Sequence, residues 1–192
     1  KEDINRPKNI LLLVLHAGAI AGLIVVQGDF GTALIFLFIA VCMILSAGLS
    51  WKYILTGLIA LPVVGFLVWE FVFQDLHRNR VLIAFNPDLD PKGEGYQQVQ
   101  GRMALGSGGL FGRGLFSDNL VRVPEMHNDF IFSFIGESLG FVGSLAVVLV
   151  ITLLCVRVLS DAQMAQDLQG KLICVGVFSM ISFQVVVNIG MC

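Results

Sequence analysis

Glu125, His127 and Asp129 place two carboxylates and an imidazole just ahead of the apolar run Phe130-Ile131-Phe132. A carboxylate at such a boundary can accept a proton from a hydroxyl in a transition state, and an imidazole can relay one. Asp129 is the best placed of the three, at the start of a helix. Capping the free N–H groups there is the competing role for its carboxylate, and capping requires neither Glu125 nor His127. The two roles are compatible.

Glu137 lies eight residues further on, about two turns into the same run and too deep to reach water. An acid there must be paired, protonated or lining a cavity. A separation of eight residues leaves a rotation of about 80° after whole turns, so Asp129 and Glu137 could border one inward-facing cavity. Asp29, directly before Phe30-Gly31-Thr32, can cap the helix that follows, and a further role stays open. His16, in mid-span, either faces a cavity or is a neutral histidine bonded to a neighbouring helix. Gln184 and Asn188 share a helix face and are expected to hydrogen-bond across a helix interface.

The elements that must hold these groups are apolar helices. Of the 192 residues, 56% are hydrophobic and 14% charged, and the mean hydropathy is +0.85. These values place the chain in the membrane class. Runs long enough to cross about 30 Å of hydrocarbon cover 10–27, 30–49, 53–73, 129–156 and 172–192. The expected fold is therefore all-α, a polytopic membrane helix bundle with one long loop over 74–128, forming a single membrane domain. A net charge of -2 gives no basic face for nucleic acid. Cys42, Cys155, Cys174 and Cys192 lie in or at the ends of apolar runs without metal-site spacing, and read as small buried hydrophobes.

Lys1, Arg6 and Lys8 flank the first span, Lys52 lies in a short connection, and Arg157 and Lys171 bracket the last. The positive-inside rule puts these in the cytoplasm and the 74–128 loop outside, since loops approaching about 60 residues largely escape the rule. Within that loop, Asn86 to Gln97 is rich in turn formers. Asp88, Asp90 and Glu94 stabilise turns rather than bind calcium, because Pro91 and Lys92 fall where oxygen ligands should be. The cluster Gly106 to Gly114 fits no phosphate-binding motif. It allows close backbone approach and sharp reversals. Both ends of the chain read as internal cuts of a larger polytopic protein.

Five blocks carry a family resemblance. They are Gln27-Gly28-Asp29-Phe30-Gly31-Thr32-Ala33-Leu34, Asn86-Pro87 to Gly95-Tyr96-Gln97, Gly106 to Gly114, Pro124 to Phe132 with Ile135-Gly136-Glu137, and Gln184 with Asn188-Ile189-Gly190-Met191. In this order they resemble the SEDS (shape, elongation, division and sporulation) family of RodA, FtsW and SpoVE, and the Asn-Pro and Asp-Pro pair is closer to RodA. The resemblance implies about ten membrane helices, each of about 20 residues, of which this chain would hold about five and be inactive alone.

It further implies a multi-pass protein of the bacterial cytoplasmic membrane, acting in cell elongation or division as an inverting peptidoglycan glycosyltransferase on lipid II. A class B penicillin-binding transpeptidase would be its partner. The family's essential aspartate falls on Asp129, which would be the general base on the acceptor 4-hydroxyl. Glu125, His127, Glu137 and Asp29 would support the site or touch substrate. Charge on the departing diphosphate would be met by Arg102, Arg113 or Arg122, or by a divalent cation such as Mg or Mn. A lipid II flippase using His16 and Glu137, and a non-catalytic scaffold for the transpeptidase, are the alternatives. Ser138 stands where the family often has a second acid beside Glu137, which argues against a two-acid function there.

Overall fold

The computed structural model describes residues 4–71, 78–79, 82–83, 86–93, 95–117, 119–121, 123–124 and 129–192. Its helices over the described residues include α1 (Pro7–Val26), α2 (Phe30–Ser46), α3 (Trp51–Phe71), α4 (Tyr96–Ser107), α5 (Ile131–Met164) and α6 (Leu168–Met191), with a 3-10 turn at Pro87–Leu89. α1, α3, α5 and α6 are long and apolar enough to cross a membrane, and α2 is a shorter apolar helix. The protein is an all-helical polytopic membrane bundle. Its outward faces carry large apolar side chains such as Leu12, Leu15, Leu58 and Phe66, as expected of helices surrounded by lipid or by other helices.

The chain divides into two compact units, 1–62 with 153–185, and 63–152 with 186–192. In the first, Asn5 fastens the start of the chain to the α2–α3 connection. Its Oδ1 accepts the Ser50 N–H at 2.7 Å and its Nδ2 donates to the Gly48 carbonyl, while the Tyr53 hydroxyl donates to the Asn5 carbonyl. α2 meets α6 where Phe38 and Phe183 bring their rings to 4.8 Å, and where Gly176 leaves room for Met43 and Ile39.

The second unit is organised by a break in α5. Gly140 has φ 71° and ψ −170°, a conformation open essentially to glycine alone, and it divides the helix. In an unbroken helix the Glu137 and Ser138 carbonyls would accept from the N–H groups of Phe141 and Val142. Here all four groups turn to the glycine-rich loop. Arg113 N and Gly114 N donate to Glu137 O and Ser138 O at 2.9 and 3.0 Å, and Phe141 N and Val142 N donate to Gly109 O and Leu110 O at 2.9 and 3.1 Å. An unpaired peptide group inside a hydrocarbon layer costs several kcal/mol, so the loop and the break stabilise each other. A Cβ on Gly140 would collide with the Leu110 and Gly112 backbone, and one on Gly112 with the Ser138 carbonyl. The cluster does make close approaches, but by docking into a divided helix.

α4 was not foreseen, because its near-neutral polarity lies in a stretch that otherwise reads as turns. Its Gln, Arg, Met, Ala and Leu residues are good helix formers. Gly101 and Ala104 make a buried small-residue face, and Gly101 rests on Phe130 and Ser133 of the α5 start.

Candidate functional site

Asp129 lies two residues before α5, and its side chain is exposed. Its neighbour Phe130 is 1% exposed and packs with Ala104 and Val123, against which Val121, Met191 and Cys192 are seated. That buried ring fixes the backbone from which the carboxylate projects.

The helix start is capped from a distance. Asn188, in the last turn of α6, accepts the Phe132 N–H on Oδ1 at 3.3 Å and donates from Nδ2 to the Asp129 carbonyl at 2.9 Å. Phe132 N–H is one of the donors that a helix leaves without an internal partner. The Asp129 carboxylate makes no hydrogen bond or ion pair among the described residues. Capping, the competing account of Asp129, is therefore performed by another side chain. The end of α6 is held in turn, because Ser133 donates its hydroxyl to Cys192 Sγ at 3.1 Å and Cys192 Sγ donates to the Asn188 carbonyl at 3.2 Å.

Glu137 is fully buried. Its Oε1 accepts from Ser107 Oγ at 3.1 Å, from the Val121 N–H at 2.8 Å and from Arg113 Nη1 at 3.5 Å, whereas Oε2 is buried without a hydrogen-bond partner among the described residues. One carboxylate thus joins the end of α4, the glycine loop and the segment leading toward Asp129. Of the three states open to it, Glu137 is paired. Asp129, by contrast, is exposed.

Arg113 is committed to the same junction. Its Nε donates to the Ser107 carbonyl at 3.2 Å and Nη1 to the Asn119 carbonyl at 3.0 Å. Arg102 is exposed on α4 next to Gly101 and makes no hydrogen bond or ion pair among the described residues, so its guanidinium can receive an anion. Glu125, His127 and Arg122 lie outside the described residues.

Asp29 is an N-cap. Its Oδ1 accepts the Thr32 N–H at 2.9 Å, and hydrogen bonding from the Thr32 side chain and backbone lowers its pKa below the usual aspartate value. Asp90 likewise stabilises its turn by accepting the Gly93 N–H at 3.0 Å. His16 is exposed and makes no hydrogen bond among the described residues. Gln184 is exposed, so of the expected Gln184–Asn188 pair the cross-helix bonds on α5 come from Asn188. A lone amide near the end of an apolar helix was the available signal, but nothing local names its target.

Beside Phe132 lies an apolar cavity of about 480 Å³, lined by Leu105 and Gly106 of α4 and by Phe132, Gly136, Phe141 and Leu145 of α5. Among the described residues no three His, Cys, Asp or Glu side chains converge to hold a metal ion.

The family model of the FtsW, RodA and SpoVE cell cycle proteins matches residues 1–192. A probable peptidoglycan glycosyltransferase FtsW of Trichlorobacter lovleyi is 35% identical over 185 residues, which is 95% of this chain and 46% of the relative. The peptidoglycan glycosyltransferase MrdB of Escherichia coli K12 is 35% identical over 172 residues, 88% of this chain and 46% of the relative. A probable FtsW of Geobacter sp. strain M18 is 36% identical over 179 residues, with shares of 91% and 48%. The chain spans about half the length of the curated relatives it matches.

Proposed function

The chain belongs to the FtsW, RodA and SpoVE family of cell cycle proteins, and from that premise we propose that the whole protein is a peptidoglycan glycosyltransferase. It polymerises lipid II at the outer face of the bacterial cytoplasmic membrane, with Asp129 as general base. The observation that carries this reading is the exposed Asp129 carboxylate, at the start of a membrane helix yet relieved of capping it. A base for this reaction has to stand at the boundary, because the substrate's lipid stays in the bilayer while its sugars lie in water.

In the proposed step the acceptor 4-hydroxyl oxygen forms a bond to the anomeric carbon of the lipid-linked donor glycan. The bond from that carbon to the diphosphate breaks with inversion, undecaprenyl diphosphate departs with the electron pair, and the hydroxyl proton passes to Asp129. A sugar hydroxyl is a weak acid, so accepting its proton as the new bond forms is worth about 10² to 10⁴-fold. Arg102 is the described cation able to meet charge on the diphosphate. The apolar cavity beside Phe132 suits the hydrocarbon part of the substrate. A class B penicillin-binding transpeptidase is the proposed partner. A transport reading loses one of its two pathway groups, since Glu137 is enclosed by hydrogen bonds.

The test is polymerisation of purified lipid II by the whole protein with Asp129→Ala. Loss of glycan chains with folding intact is expected. Retained polymerisation would remove Asp129 from the reaction.

A further inference from the structure

Asn188 holds two backbone groups that flank Asp129 in space, the Asp129 carbonyl and the Phe132 N–H. The second is a helix donor three residues ahead of Asp129, which itself stands two residues before α5. Asp29, directly before α2, takes the donor three residues ahead of it, Thr32 N–H. At the α5 start the acceptor comes instead from 56 residues away in sequence. If Asn188 were only glue between helices, any pair of backbone groups would serve. The pair it engages is the one whose satisfaction leaves the Asp129 side chain without a local partner.

We propose that Asn188 is a positioning residue for Asp129: by capping α5 from another helix it keeps the Asp129 carboxylate from folding back onto the Phe132 N–H and leaves it turned toward the acceptor hydroxyl. The inference rests on Asp129 being the general base. The amide contributes in two ways. Its Oδ1 satisfies the helix donor, and its Nδ2 anchors the peptide from which the carboxylate projects. Asn188 is itself braced against the same helix start through Cys192 and Ser133.

The titratable or charged groups named at this junction are Arg102 on α4, Glu137 on α5 and the Cys192 thiol, whereas Tyr96 on α4, Cys155, Arg157 and Asp161 on α5, and Lys171 and Cys174 on α6 lie further along those helices; Glu125 and His127 lie upstream, outside the described residues. Without Asn188, the Asp129 carboxylate would accept the Phe132 N–H. A hydrogen bond to the ionised form favours that form and makes it a weaker base.

The experiment compares Asn188→Ala and Asn188→Asp in the whole protein, with lipid II as substrate, folded amount measured on each sample, and kcat and KM followed against pH. Asn188→Ala should lower kcat by roughly tenfold, part of what a general base supplies. KM should change little and the acid limb of the profile should move to lower pH. Asn188→Asp retains the acceptor for Phe132 N–H, so its acid limb should stay at or above the wild-type position. An unchanged acid limb in Asn188→Ala, or a loss explained by folded amount alone, would overturn the assignment. If Asn188→Ala does not fold, an acid limb moved to lower pH in Asn188→Asp overturns it. Asp129→Ala on the same substrate separates the two failures, because an active Asp129→Ala enzyme removes the base itself, whereas an inactive one beside an unaffected Asn188→Ala enzyme removes only the role of Asn188.

Discussion

The dipeptide Asp-Phe stands at the entry of two helices, with Asp29 directly before α2 and Asp129 two residues before α5, and the two aspartates end in different states. Asp29 has a helix donor three residues ahead and nothing else to take it, so its carboxylate is consumed as a cap and held in its ionised form. Asp129 also has a helix donor three residues ahead, the Phe132 N–H, but Asn188 occupies it. The comparison shows that a local pattern offers a carboxylate a job, and a distant side chain decides whether it accepts. A proton acceptor must be uncommitted, and it must also be held in place. Here Asn188 and the buried Phe130 ring meet those two needs together.

The sharpest way to break the comparison is the same substitution at both aspartates. Asp129→Asn should reduce lipid II polymerisation by about 10² to 10⁴-fold, whereas Asp29→Asn should change the rate little, since asparagine caps as well as aspartate. Equal losses in a glycan-chain assay would dissolve the distinction.

Next in size is Glu137, the buried acid that joins the loop to α5. Glu137→Ala would strand the Val121 N–H, at roughly 1–3 kcal/mol for a buried orphan, while the Ser107 hydroxyl keeps the Ala104 carbonyl. Thermal unfolding in detergent should show a clear drop, and Glu137→Gln, which retains an acceptor oxygen, should recover much of it. No difference between the two variants would mean that Oε1 is not what joins the loop to α5.

Gly140→Ala tests the platform beneath Asp129. An alanine forced into that backbone conformation costs about 1–3 kcal/mol, before any collision with the loop. Protease susceptibility of the 109–114 loop should rise. If α5 instead closed into an unbroken helix with the loop still protected, the reciprocal docking would be wrong.

The smallest effect is the pH dependence of the Asp29 cap. Its folded pKa lies below the unfolded value, so its stabilisation is fully present above the ordinary aspartate pKa and is lost as the pH falls through the lowered folded value. Asp29→Ala should therefore unfold at a lower temperature than wild type at neutral pH, and the gap should narrow in strong acid. A gap independent of pH would point to packing rather than charge.

Much of the fold was legible because it follows from what is local in sequence. Apolar runs of spanning length mark the long helices, and an aspartate followed three residues later by a free helix N–H marks a cap. α4 was not legible, since its helix formers lie among turn residues and its small-residue face acquires meaning only against Phe130 and Ser133. The break at Gly140 was hidden for a similar reason. A glycine in an apolar helix is common, and only the docked loop makes a division there tolerable. Arg113 and Arg102 look alike as cations in the sequence, and only the folded chain gives Arg113 its carbonyl and carboxylate partners.

The sequence by itself determined that this is a membrane helix bundle of this family, and that Asp129 heads a helix with other ionisable groups nearby. Apolar length and residue type carry that information without reference to the rest of the chain. Only the tertiary structure decided that Glu137 is enclosed, that Arg113 pins a loop, and that Asn188 caps the helix beside Asp129. Each of those outcomes depends on which hydrogen-bonding groups meet across helices where water does not compete, and partners up to 59 residues apart are brought together only by packing.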